Sequence, residues 1–288
     1  MNLGALETRM TVTVDDQLEN YQLEINNEHI VRSKLARIAE FMDGIRILAG
    51  SETYAHIVSE NNFPISAGLA SSASAFAALA LAGSKAYGLN LKEKELSILA
   101  RKGSGSACRS VPSGYVEWKK GSSDCTSFGS PLAPPEHWDL VDCIPLVKTS
   151  EKPISSKEGH SLADTSPLQA SRVKDAPRRL EICRNAILQK DFESLAAISE
   201  LDSLWMHAVM MTSTPALMYW EPATIQILKS VVNARKDGLP VFATVDAGPN
   251  VHVITPKSSV NESVAMLQTL QGVIQVMVSP AGGGAHLV

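Results

Sequence analysis

The chain has 288 residues, 44% of them hydrophobic, with a formal charge of -4 and four cysteines. That length and apolar share support one large core or two modest ones and exclude a disordered or fibrous chain. Basic residues scattered over a net acidic background exclude an electrostatic surface for nucleic acid or anionic membrane, which leaves a small molecule as the expected ligand.

Alternation of apolar and polar residues predicts strands over 9–14, 21–25 and 54–60, and 3.6-residue periodicity predicts a helix over 32–47. Asn62-Phe63-Pro64 then leads into Gly68-Leu69-Ala70-Ser71-Ser72 and an alanine-rich stretch to Ala86, which reads as a turn opening a buried helix. A helix is expected over 92–101, ending at Gly103 as helices end on C-terminal glycines, then a Ser/Gly-rich segment and a strand over 115–119. Residues 121–136, rich in Ser, Gly and Pro, read as a loop, 140–148 as a strand, and 149–166 as a polar, mobile segment. Further on, helices over 176–189, 192–210 and 222–237 alternate with strands over 241–246, 251–255 and 273–278, the pattern of helices on one face of an antiparallel sheet. The fold class is therefore α+β, with an α/β domain over 1–150 and a second domain over 151–288.

Cys108, Cys125, Cys143 and Cys183 lack the paired spacing of a zinc site and the density of a disulfide scaffold, so they read as reduced thiols. The longest apolar run, 73–82, is too short to span a bilayer and the N-terminus carries no signal pattern, so a cytoplasmic protein without membrane partners is expected. His207 on its helix reads as a satisfied core histidine, His160 and His286 fall in loops, and no protein-only metal site is expected. Trp205, Tyr219 and Trp220 read as packing residues.

Four segments carry chemistry. Gly68 to Ser72 opens a helix whose unpaired N–H groups and dipole favour an anion, and glycine admits a phosphate to the backbone; a capped, closely packed alanine helix fits the same residues. It is not a Walker loop, because the GxxxxGK[ST] lysine is absent. Gly103 to Ser110 gathers small residues, hydroxyls and Arg109 into one turn able to hold a phosphate or carboxylate, or to serve as a linker. Asp246 ends an apolar strand before Gly248-Pro249, where it can orient or deprotonate a hydroxyl, or merely turn the chain. The run Ser279 to Ala285 lines a phosphate site or turns the chain.

In this order, NNFPISAGLASSASAFAALA, RKGSGSACRSVPSGYVEW, EKPISSKEGHSLADTSP and TVDAGPN resemble the mevalonate diphosphate decarboxylase family. That family belongs to the superfamily of galactokinase, homoserine kinase, mevalonate kinase and phosphomevalonate kinase. The resemblance implies an N-terminal α/β domain with the phosphate loop and a ferredoxin-like C-terminal domain. It implies ATP with Mg²⁺ as cofactors, with Gly68, Leu69, Ala70, Ser71 and Ser72 holding the nucleotide. Ser104, Gly105, Ser106, Ala107, Cys108 and Arg109 would hold the substrate's phosphates and carboxylate, with Thr165, Ser166 and Arg37 as further contacts. Asp246 and Arg109 would be catalytic. The reaction implied is ATP-dependent decarboxylation of a 5-phosphorylated mevalonate, carrying one or two phosphates, by a homodimer. A mevalonate-type kinase that stops at phosphorylation and an inactive binding subunit are the alternatives. Family members carry a first strand and a YWGK-like segment ahead of the point where this sequence starts, so the chain reads as truncated at its N-terminus.

Overall fold

The computed structural model describes residues 1–31, 33–64, 69–147 and 156–288. They form two compact units: Met1–Phe63 with Ala70–Glu136 and Gly282–Val288, and Pro64–Leu69 with His137–Ala281.

In the first unit the strands are β1 (Thr8–Asp15), β2 (Gln22–Ile25) and β3 (Glu28–His29), followed by helix α1 (Ser33–Ala49) and β4 (Tyr54–Asn61). The chain continues into α2 (Ser71–Ala86), α3 (Glu93–Gly103) and a hairpin of β5 (Tyr115–Lys119) and β6 (Phe128–Ala133). The sheet order is β1-β4-β2-β3, with β4 antiparallel to β1 and parallel to β2. Every second residue of β4 is buried, Ala55, Ile57 and Ser59, so the period-2 pattern in the sequence turns one face onto the helices. There Leu23 and Ile57 meet Met42 and Ile45 of α1, Phe76, Leu79 and Ala80 of α2, and Leu96 and Ala100 of α3. The alanines of α2 keep that helix close to its neighbours and allow it to be buried along its length.

The second unit runs β7 (Leu140–Leu146), α4 (Ser156–Leu162), α5 (Gln169–Gln189), α6 (Phe192–Met211), α7 (Pro222–Lys236), β8 (Phe242–Val245), β9 (Val251–Pro256), α8 (Val260–Gln268) and β10 (Gln275–Pro280). Its sheet is antiparallel throughout with the order β10-β7-β9-β8, the β-α-β-β-α-β arrangement expected of a ferredoxin-like domain. Ile227 and Val231 of α7 and Leu267 of α8 pack on one face, over Val141, Cys143, Ala243, Val245, Val251 and Val253. The paired helices α5 and α6 are held by Arg179, which donates to Asp202 at 2.9 Å, Asp175 at 3.0 Å and the Arg172 carbonyl at 3.0 Å.

Four local expectations change. The loop over 121–136 contains β6, because Gly129 and Pro131 sit in a strand whose pairing to β5 shifts register beside Tyr115. The polar segment over 149–166 contains α4 and a short 3-10 turn at Ala163–Thr165, which puts His160 on a helix; residues 148–155 lie outside the described residues. Helix α5 begins at Gln169, not 176, and takes Pro177 into its interior, its first turns anchored by the ion pairs to Asp202. Helix α8 has no counterpart in the sequence reading. The anticipated boundary at 150 also lies one strand beyond the division between the units, because β7 pairs with β9 and β10.

The C-terminal glycines turn the chain back into the first unit. Gly282 donates to the Asn2 carbonyl at 2.9 Å and accepts from Gly114 at 3.1 Å, and the Ala285 N–H reaches the carbonyls of Ser110 and Val111, each at 3.1 Å. A Cβ at Gly284 would overlap the Val111 carbonyl.

Candidate active site

Of the expected nucleotide loop, Gly68 lies outside the described residues, Leu69 is buried, and Ala70 to Ser72 make the entry to α2. Ala70 takes the N-cap position at φ 53° and ψ 27°, left-handed for a residue with a Cβ, and its side chain offers no capping acceptor. Such a conformation costs about 1–2 kcal/mol, and the positive dipole end of a helix without a side-chain cap favours an anion. Ser74 fixes the turn from behind, its hydroxyl 2.8 Å from Thr8 Oγ1 on β1 and 3.1 Å from the Ser71 carbonyl.

Ser104 follows the end of α3, and Gly105–Arg109 form a 3-10 turn. One buried hydroxyl organises that turn. Ser97 Oγ donates to the Cys108 carbonyl at 2.8 Å and accepts from the Gly129 N–H at 2.8 Å, joining α3, the turn and β6. Only glycine fits at 129, since a Cβ there would overlap the Cys108 carbonyl, and Gly103 likewise lies flat against the Phe76 ring. Trp118 of β5 covers Gly105 and donates through its indole N–H to Ser127 at 2.9 Å. Arg101 holds the loop around Asp124 and the Ser127 carbonyl.

This packing sorts the expected substrate residues. Ala107 and Cys108 turn their side chains into the interior, and burial pushes the Cys108 thiol up in pKa. Ser104, Gly105 and Ser106 are half-buried and Arg109 is exposed. Arg37 of α1 lies over the Phe76 ring at 4.7 Å and donates through Nη2 to the Gly103 carbonyl at 2.6 Å, with Ser72 Oγ at 3.4 Å. A single guanidinium thus links Ser72, at the entry of α2, to the Gly103 carbonyl, one residue before Ser104.

Thr165, Ser166 and Asp246 belong to the second unit. Thr165 Oγ1 accepts from the Thr214 N–H at 2.7 Å, and Ser166 Oγ lies 2.7 Å from Thr212 Oγ1. The two turns therefore share one hydroxyl cluster. Asp246 follows β8 and is exposed, and its carbonyl accepts from the Gly248 N–H at 2.8 Å. Beyond it Thr224 Oγ1 donates to the Pro249 carbonyl at 2.6 Å, and buried Asn250 accepts the Val147 N–H at 2.8 Å. His207 is the satisfied core histidine the sequence implied: buried, 2.9 Å from the Val245 carbonyl, its ring 4.9 Å from that of Trp220, with burial lowering its pKa.

Chemically, the first unit offers hydroxyls, turn amides and the exposed guanidinium of Arg109, with that of Arg37 at the entry of α2, a set suited to phosphate and carboxylate. The second offers an exposed carboxylate on a pinned turn, suited to a hydroxyl proton. Sequence reasoning missed Ser97, Trp118, Thr212 and Thr214, whose roles arise from contacts distant in the chain.

A family model described as "Diphosphomevalonate decarboxylase-like N-terminal domain" matches residues 1–129, and one described as "Mevalonate 5-diphosphate decarboxylase C-terminal domain" matches 143–279. The diphosphomevalonate decarboxylase of Candida albicans is 39% identical over 222 residues, covering 75% of this chain and 61% of that protein. The chain spans about three fifths of the length of the curated relatives it matches. The crystal structure of mevalonate diphosphate decarboxylase from Staphylococcus aureus superposes with a TM-score of 0.92 at 37% identity, covering 98% of this chain and 86% of that one. A structure described as "MDDEF in complex with MVAPP, AMPPCP and Magnesium" gives a TM-score of 0.92 at 36% identity, with 98% and 87% covered.

Proposed function

The chain belongs to the mevalonate diphosphate decarboxylase family, and from that premise we propose that it catalyses ATP-dependent decarboxylation of mevalonate 5-diphosphate to isopentenyl diphosphate. The observation that carries the reading is the pair of exposed charges on fixed backbone, Arg109 on the Ser/Gly turn and Asp246 after β8, in segments matching the family motifs.

The uncapped entry of α2 and Ser72 would receive the nucleotide's phosphates. Mg²⁺, carried on the triphosphate, supplies charge neutralisation; among the described residues no group of three His, Cys, Asp or Glu side chains is arranged to hold a metal. Ser104, Ser106 and Arg109 would bind the substrate's phosphates and carboxylate, with Arg37 and the Thr165–Ser166 turn as further contacts. Asp246 takes the proton of the C3 hydroxyl as that oxygen receives the γ-phosphoryl group. Asp246, exposed to water, releases that proton and is again a carboxylate when the phosphate leaves with the C3–O bond's electrons; it then stabilises the positive charge at C3, and Arg109 aligns the substrate carboxylate as its C–C bond electrons form the double bond and CO₂ departs.

A cytoplasmic homodimer completes the proposal. Reduced cysteines and the absence, among the described residues, of any helix long and apolar enough to cross a membrane support the compartment. Exposed Val173 and Leu180 on α5, with Leu201 and Leu204 on α6, support pairing with a second copy. Light scattering of Leu204→Lys should then report monomer.

The deciding experiment is ATP-dependent release of labelled CO₂ from carboxyl-labelled mevalonate 5-diphosphate and 5-phosphate. Release from the diphosphate supports the proposal, and preference for the monophosphate would move the chain to phosphomevalonate. ADP formation without CO₂ would make it a kinase, and inactivity with retained ligand binding a binding subunit.

A further inference from the structure

Strand β8 is an edge of its sheet, and its outer side faces α6 in place of another strand. Three side chains on one stripe of that helix meet its backbone. Glu200 Oε1 accepts from the Ala243 N–H at 3.2 Å, Ser203 Oγ accepts from the Val245 N–H at 2.8 Å, and Ser203 Oγ and His207 Nε2 lie 3.0 and 2.9 Å from the Val245 carbonyl. Glu200 is itself fixed by two Arg235 bonds of 2.9 and 2.8 Å. A carbonyl can only accept, so His207 carries its proton on Nε2, and burial keeps the ring neutral.

The clasp is concentrated on the residue before Asp246. Both backbone groups of Val245 are held, while Thr224 and Asn250 pin the far side of the turn. Between those anchors the carboxylate is exposed.

We propose that His207 and Ser203 are positioning residues for the reaction, acting through Val245 to fix the direction in which Asp246 presents its carboxylate. This rests on the catalytic reading of Asp246. Neither side chain need touch substrate; their contribution is alignment, and a displacement near 1 Å at a reacting group costs about 100-fold in rate.

The test compares His207→Leu, His207→Gln and Ser203→Ala with the unaltered chain, reading kcat and both KM values with mevalonate 5-diphosphate and ATP, beside thermal unfolding. His207→Leu should lower kcat at least about tenfold with KM for ATP unchanged, Ser203→Ala should lower it several-fold, and His207→Gln, which retains an N–H donor, should recover most of the loss. Unaltered kcat in both His207→Leu and Ser203→Ala overturns the proposal, as does a loss that glutamine fails to rescue while Ser203→Ala stays unimpaired. Asp246→Asn separates the two levels: full turnover in that variant refutes the role of Asp246 itself, whereas its inactivity beside an unimpaired His207→Leu refutes only the positioning.

Discussion

The turn that carries Arg109 and the turn that carries Asp246 both present an exposed charge from a fixed backbone, and they are fixed by opposite means. Around Arg109 the means is close approach: Gly103 against Phe76, Gly129 against the Cys108 carbonyl, and one hydroxyl, Ser97, filling the remaining space. Around Asp246 it is reach, with side chains of α6 and α7 extending to the backbone on either side. The first turn is therefore sensitive to added volume, the second to lost donors and acceptors.

The largest expected effect tests whether the second turn's fixation serves chemistry. Asp246→Asn should lower kcat about 10²–10⁴-fold, the range for a general base, with an unfolding midpoint close to that of the parent chain; steady-state kinetics and calorimetry read the two together. Added volume at the first turn comes next. Gly129→Ala should destabilise by about 1–3 kcal/mol through overpacking, measured by urea denaturation, and should raise KM for the phosphorylated substrate as the turn shifts. Ser97→Ala removes no packing of consequence but leaves a buried carbonyl and a buried N–H unpaired; about 1–3 kcal/mol is expected. An unchanged urea midpoint in that variant would show that Ser97 does not organise the turn. The smallest effect is Ala70→Gly. Relief of the left-handed alanine is offset by greater freedom in the unfolded chain, so the net gain should stay below about 1 kcal/mol. A clear loss of stability would mean that the conformation at Ala70 carries no strain.

How much of this was visible in the sequence follows the same division. Segments with their own periodicity were legible: β1, β4, α2, α6 and α7 fall within a residue or two of the expected spans. Strand β6 was not, because its Gly and Pro content signals a loop while its position is dictated by the Cys108 carbonyl and by β5. Helix α5 was expected only from 176, yet it runs from Gln169 through Pro177, with Arg172 and Arg179 both paired to Asp202. At the site, Arg109 and Asp246 could be named because exposed charges sit inside recognisable motifs. Ser97 and Ser203 could not, since a serine on a helix acquires meaning only from the distant backbone it meets, 11 and 42 residues away respectively.

The return of residues 282–288 to the first unit has a consequence for how the protein is made. On the ribosome, domains generally fold as units in the order they emerge. Here the Ser110 and Val111 carbonyls, one residue and two beyond Arg109, receive their partner from Ala285, which is synthesised after the whole of 137–281. The first unit is therefore left one segment short throughout translation of the second, and the backbone beside the arginine turn is closed only once the glycine run has been added.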